Sequence, residues 1–362
     1  MMPIRVLVDS FADAGLLNAQ MSNAREIVCR LDPDCFTVSM FVQDDPDPRI
    51  ASRRNTRLVR VPQKKQTLRI LSEFLFGSHN LVFYVKASPA SRCYLGLRRR
   101  WRDPRITVAT IESQADLRSE PSIAPEAVRL WEQTVLRCDY LFSNSASVRG
   151  SLEREYGLIS QIIPTGVDTS FFAPPSERHP PNPRPRVLFA GSLRRFKQPG
   201  FLLSAAARFP EADFRIAGEG PLRQELEQRI AQENLTNAHL LGPLSPAALR
   251  EEYQRADIFL FPSSWEGSPK VILEAAASGL PVIVRSNYAP ETVVHGVTGY
   301  QASSDEELYK FLQALLQNAE LRRQLGMAGR SHSQKYDWNV IAAQWGEAFT
   351  EMAHRSQTRR AS

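Results

Sequence analysis

Short, wholly apolar runs punctuate this chain, each closed by turn-forming residues and separated by stretches whose apolar positions recur at helical spacing. Runs that are apolar at every position, rather than at alternate ones, belong to strands buried on both faces, as in parallel sheets. In the first half the pattern predicts strands at 4–8, 38–42, 81–85, 106–111 and 140–143, with helices at 17–30, 125–137 and 145–156. In the second half it predicts strands at 186–190, 214–217, 239–241, 258–261 and 281–284. Strands alternating with helices mean parallel sheets joined by crossover helices, an α/β class.

Between the halves lies a segment, 173–185, with six prolines in thirteen residues. Proline cannot donate to a sheet ladder, so this stretch reads as a semi-rigid linker. A chain of 362 residues is long for one core. The division predicted is therefore a first domain over 1–173, a linker over 174–185 and a second domain over 186–336. An amphipathic helix follows at the C-terminal end. Two open α/β domains place ligands at the carboxyl ends of their strands.

The densest candidate chemistry runs from Ser263 to Val284. Here Ser268 reads as an N-cap, Pro269 as the first helical residue, 270–278 as the helix and Gly279 as its stop. Glu266 then sits in the loop and Glu274 two turns into the helix. Backbone N–H groups around Gly267, Ser268, Lys270 and Val271, with the positive end of the helix dipole, favour a phosphate between the two carboxylates. A second candidate is the strand ending Phe189-Ala190-Gly191-Ser192, followed by Arg194, Arg195 and Lys197. Glycine permits close approach of a ligand, and the cations can neutralise a diphosphate. A third is the loop Gly218-Glu219-Gly220-Pro221, which lacks the full GxGxxG dinucleotide fingerprint and so disfavours an NAD-dependent dehydrogenase.

Taken in order, Gly191 to Lys197, Gly218 to Pro221 and Glu266 to Glu274 resemble the retaining family 4 glycosyltransferases, also called glycosyl transferases group 1. The resemblance implies the GT-B fold, two Rossmann-like domains whose parallel sheets face an interdomain cleft. It implies that the first domain binds the acceptor, that the second binds a nucleotide sugar, and that a final helix, 337–355, completes the first. By the same resemblance Glu274 holds the ribose hydroxyls, Glu266 faces a hydroxyl of the donor sugar, and Lys197 neutralises the diphosphate. The family's usual arginine is replaced by Ser192, which leaves the second cation to Arg194 or Arg195, with Arg195 favoured. In the first domain only Gly15 stands where the family has a glycine-rich loop, and Glu112 stands where many relatives have histidine. The activity implied is transfer, with retention, from a nucleotide diphosphate sugar, a UDP-sugar favoured, to a glycan or lipid-linked acceptor. No other cofactor is expected. A nucleotide-sugar 2-epimerase on the same fold, or a non-catalytic module binding a polyanion or membrane, remain alternatives.

Composition narrows this picture. The net charge of +6 is concentrated: residues 49–105 carry fifteen Lys and Arg against Glu73 and Asp103, a net +13. Such a block is a solvated basic face or a surface for anions, and an anionic membrane is the partner expected, since no nucleic-acid motif interleaves with it. No apolar run reaches the roughly 18 residues that span a bilayer. The first strand begins at once, without a signal-peptide pattern, so the expected address is cytoplasmic, peripheral on the inner face of the cytoplasmic membrane. Cys29, Cys35, Cys93 and Cys138 show no disulfide or metal spacing, and the six histidines do not cluster. The triplets Asp32-Pro33-Asp34 and Asp45-Pro46-Asp47 read as turns rather than metal ligands.

Overall fold

A computed structural model describes residues 3–15, 18–114, 123–175 and 184–361, the last with side chains to 356. Most of the proline-rich segment lies outside these residues. The chain forms two compact units, residues 1–165 with 338–362, and residues 166–337. The division thus falls between Thr165 and Gly166, before the proline-rich segment, because residues 166–175 pack with the second unit: Val167 and Phe172 belong to its core.

In the first unit the strands are β1 (Ile4–Phe11), β2 (Phe36–Val42), β3 (Thr56–Arg60), β4 (Leu81–Phe83), β5 (Ile106–Ile111), β6 (Tyr140–Ser143) and β7 (Gln161–Ile162). They form one parallel sheet in the order β3-β2-β1-β4-β5-β6-β7. One face buries Phe41, Phe74, Tyr94 and Val148. The other is covered by the helix Ala19–Arg30 and by the C-terminal helix Trp338–Ala361, whose Trp345 ring lies 4.7 Å from Phe83 and 4.7 Å from Phe142.

The second unit has strands β8 (Arg186–Ala190), β9 (Asp213–Ala217), β10 (Ala238–Gly242), β11 (Ile258–Phe261), β12 (Val282–Arg285) and β13 (Gly299–Ala302), all parallel, in the order β10-β9-β8-β11-β12-β13. Both sheets therefore reverse direction of winding once, between β1 and β4 and between β8 and β11. Each is a Rossmann-like sheet with one topological switch point, the place where open α/β sheets bind ligands.

The strands absent from the apolar pattern are β3, β7 and β13, and all three are sheet edges. An edge strand is paired on one side only and keeps polar residues, as in Thr56-Arg57-Leu58-Val59-Arg60, so no apolar run marks it. The first Asp-Pro-Asp triplet is a turn, in which Asp32 accepts from Asp34 N at 2.9 Å, whereas in the second Pro46 forms an isolated antiparallel bridge with Asp13 and Asp47 caps the short helix Pro48–Ala51.

Candidate functional site

At the switch point of the second sheet, the loops after β8 and β11 are strapped to one another. After β8 the chain makes a 3-10 turn, Arg195–Lys197, ending at Gln198 in left-handed backbone. The Phe196 carbonyl at its centre accepts from Ser264 N at 2.7 Å and from the Ser264 hydroxyl at 3.1 Å. Arg285 holds the turn from the other side, donating to Gln198 Oε1 at 2.7 Å and to the Pro262 carbonyl at 2.9 Å. This clamp brings together two residues 69 positions apart. Lys197 Nζ lies 2.5 Å from Glu266 Oε1, with the two side chains 16% and 10% exposed. The ammonium also stands over the rings of Phe261 and Phe196, 5.0 and 5.4 Å from their centroids. The Ser263 hydroxyl, fully buried, reaches the same Glu266 oxygen at 2.5 Å. Arg194 and Arg195 are exposed, and among the described residues neither has an ion-pair partner.

Beside the clamp lies a pocket of about 290 Å³ lined by Gly191, Ser192, Gly218, Glu219, Leu244 and Val271, among others. Its wall depends on Gly218. That residue has φ +140°, and a Cβ there would lie 1.8 Å from the Gly191 carbonyl oxygen, so only glycine lets the two loops meet. Gly220 packs behind the pocket instead, where a Cβ would strike the Leu193 backbone.

The helix that supplies Val271 runs Lys270–Ala277. Ser268 is not its cap: Pro269 takes that position with extended backbone and gives no side-chain capping hydrogen bond. The shift follows from proline's fixed φ, which lets the residue stand one step before the helix as readily as inside it. The helix dipole still presents its positive end to a ligand there. Gly267 is buried and Ser268 half-buried in the preceding loop. One turn beyond Val271, Glu274 Oε2 accepts from the Tyr253 hydroxyl at 3.1 Å. Burial pushes the Glu274 carboxyl above its ordinary pKa, against the opposing pull of Lys270 and of the Tyr253 hydrogen bond. Burial and the Glu274 charge likewise keep Tyr253 protonated well above the usual phenol range. Tyr253, fully buried on the helix Pro246–Arg255, was not visible as a site residue in the sequence, nor were Ser263, Leu244 or Gln198. Tyr253 and Leu244 act by tertiary position, with no motif around them, whereas Ser263 and Gln198 border the two candidate stretches and take their partners only from the fold.

Gly15 and Glu112 belong to the first unit. Gly15 is exposed after β1, and a Cβ there would meet nothing within 4 Å, so no close approach demands glycine. Glu112, just past β5, accepts from Asn23 Nδ2 at 3.2 Å and from the Tyr84 hydroxyl. Tyr84 has left-handed backbone, φ +65°, an unusual conformation for a bulky residue. These groups line a cavity of about 20 Å³, the size of one water, into which Asn23 Oδ1 and Asn144 Oδ1 bring no protein partner among the described residues. Among the described residues no His, Cys, Asp or Glu cluster is suited to hold a metal ion.

Residues 175–332 match the family glycosyl transferases group 1. Over 288 residues the chain is 28% identical to the D-inositol 3-phosphate glycosyltransferase of Corynebacterium diphtheriae, covering 71% of this chain and 67% of that protein. Over 163 residues it is 32% identical to the sulfoquinovosyl transferase SQD2 of Arabidopsis thaliana, covering 43% of this chain and 31% of that protein. In fold it is similar to the sucrose-phosphate synthase of Thermosynechococcus elongatus, with a TM-score of 0.80 at 20% identity over 98% of this chain and 100% of that one. It is also similar to Anabaena HepE solved with UDP and glucose, with a TM-score of 0.73 at 16% identity over 96% and 99% of the two chains. The pocket, the Lys197–Glu266 pair and Glu274 all fall inside the segment that matches the glycosyl transferases group 1, and the fold is that of two Rossmann-like units of the GT-B type.

Proposed function

We propose that the chain transfers a sugar, with retention, from a nucleoside diphosphate sugar to a hydroxyl of a glycan or lipid-linked acceptor. The observation that carries this reading is the joining, at one switch point, of a glycine-walled pocket, a helix N-terminus and the Lys197–Glu266 pair. In this reading the nucleoside occupies the pocket, and Glu274 accepts from its ribose hydroxyls. The diphosphate lies against the first turn of the helix Lys270–Ala277, with Lys197 and Arg195 as its counter-charges and Arg194 beside them. As the bond from the anomeric carbon to the phosphate oxygen breaks, its electrons go to the diphosphate. The acceptor oxygen bonds to the same face of that carbon, and its proton passes to the departing phosphate. Glu266 orients Lys197 and a sugar hydroxyl rather than acting as a nucleophile. Glu112, held by Asn23 and Tyr84, is the acceptor-side candidate. The group 1 match favours transfer over epimerisation.

Since HepE was solved with UDP and glucose, UDP-sugars open the donor screen. A donor at 100 times its dissociation constant adds about 2.7 kcal/mol of stability, which a thermal-shift assay reads directly. Glu274→Gln is expected to weaken donor binding, and Lys197→Ala to lower turnover, each by about one to two decades, the worth of a charge-assisted contact. Unchanged donor affinity in the first variant together with unchanged kcat in the second overturns the site. NMR of the anomeric proton of the product decides retention.

A further inference from the structure

Eight of the fifteen cations of residues 49–105 fall into two contrasting groups. Arg49, Arg57, Arg69, Arg98 and Arg105 are consumed internally, paired with Asp47 and Glu26, with Glu73, with Asp139 and with Asp103. Arg99, Arg100 and Arg102 are exposed and have no acidic partner among the described residues.

Their surroundings are set by two helices, Gln66–Phe76 and Pro89–Trp101. Each leads into one of the adjacent parallel strands β4 and β5, whose first residues, Leu81 and Ile106, are partners in register. The C-terminal ends of the two helices therefore lie at the same end of the sheet, where the strands begin. Contacts join them: the Phe74 and Tyr94 rings are 5.2 Å apart, and Arg105 Nη2 donates to the Leu75 carbonyl at 3.0 Å. At this joint Phe76 is 81% exposed and Trp101 58% exposed. From Cys93 to Arg102 the sequence has no acidic residue.

Two aromatic rings left in water beside three unpaired guanidiniums match the chemistry of a bilayer interface, where rings settle at headgroup depth and arginines meet lipid phosphates. Both rings sit at helix ends, so they can enter a headgroup layer without the tracking groove that a single-stranded nucleic acid uses. We propose that this tip, formed by Phe76, Trp101, Arg99, Arg100 and Arg102, docks the protein on an anionic membrane surface. The docking stands apart from the proposed transfer reaction, since the tip is at the end of the strands opposite Glu112 and shares no residue with the donor pocket.

Vesicle flotation of the full chain tests it, comparing phosphatidylcholine alone with phosphatidylcholine containing about 30% phosphatidylglycerol, an anionic surface of the kind basic segments bind. The chain is expected to float with the anionic vesicles only, and to be released at high salt. The triple variant R99Q/R100Q/R102Q is expected to lower partitioning about a hundredfold, from roughly a fivefold loss per arginine. F76S/W101S is expected to lower it as well, with the thermal melt of both variants unchanged because every altered residue is exposed. Equal flotation with neutral vesicles, or unchanged flotation of the arginine variant, overturns the proposal. So does flotation that F76S/W101S leaves intact, which marks a charge-only polyanion surface. A lipid-free dimer dissolved by F76S/W101S also overturns it, since the rings are then a protein interface.

Discussion

Glu274 is asked to be ionised by its ligand and neutral by its surroundings. Its raised pKa comes first from burial, so as pH falls the carboxyl takes up its proton sooner than an ordinary glutamate does. A protonated carboxyl has lost acceptor capacity for ribose hydroxyls. Donor affinity is therefore expected to weaken on acidification while ordinary carboxylates are still ionised, and calorimetric titration of UDP against pH measures this. Glu274→Gln is expected to bind more weakly and to lack that step. Stability runs the other way: between the ordinary and the raised pKa the folded chain holds a proton that the unfolded chain has released, so stability falls as pH rises through that window. His79 shows the opposite linkage. Buried behind the helix Gln66–Phe76 and facing Arg105 at 3.5 Å, its pKa is lowered to about 3, with burial as the main cause. Below about 6.5 the unfolded state binds a proton that the folded state refuses, so stability is lost as pH falls, by up to about 1.4 kcal/mol per pH unit. Denaturant melts at a series of pH values should show that slope, reduced by one proton in His79→Gln.

At the scale of elements, the pocket rests on the approach of two strand ends. Gly218→Ala places a methyl group 1.8 Å from the Gly191 carbonyl oxygen, and the loops must separate. Donor binding is expected to be lost, with a destabilisation of about 1–3 kcal/mol. Gly191→Ala is the control for stability, because its Cβ would meet only ring carbons of the protein, the nearest at 3.4 Å, and a nearly unchanged melt is expected. Equal destabilisation by the two substitutions in a thermal melt would show that the Gly218 approach does not hold the loops together. The same elements show what a sequence can carry. The central strands β5, β6, β8 and β11 were legible to the residue, because burial on both faces keeps them largely apolar and free of charge between their ends. The sequence places Lys197 in a basic turn after one strand, and Glu266 and Glu274 about one helix start. The pairing of Lys197 with Glu266 is tertiary, and the roles given to the three came from the resemblance alone. Tyr253 was not legible, since its role arises from the packing of one helix on another. Nor was the start of the helix after β11, where Ser268 has the chemistry of a cap but Pro269 holds the position.

For the molecule as a whole, the long C-terminal helix is the part that sequence pattern described least. Its apolar pattern predicts only an amphipathic helix, and the structure buries Trp338, Ile341, Trp345 and Phe349 almost wholly in the core of the first unit, where the resemblance places that helix. Trp345→Ala is expected to cost about 3–5 kcal/mol, the usual loss for a buried aromatic, and to appear as early melting of the first unit in hydrogen exchange. Uniform loss of protection across both units would count against their independence. This arrangement also orders events during synthesis. The first unit lacks one wall of its core until residues 338–361 have been made, and these follow every residue of the second unit. Every residue of the unit encoded second is therefore made before the first unit receives its last wall, and until then Phe36, Phe83 and Phe142 of the N-terminal sheet lack the ring contacts that Trp345 and Phe349 bring.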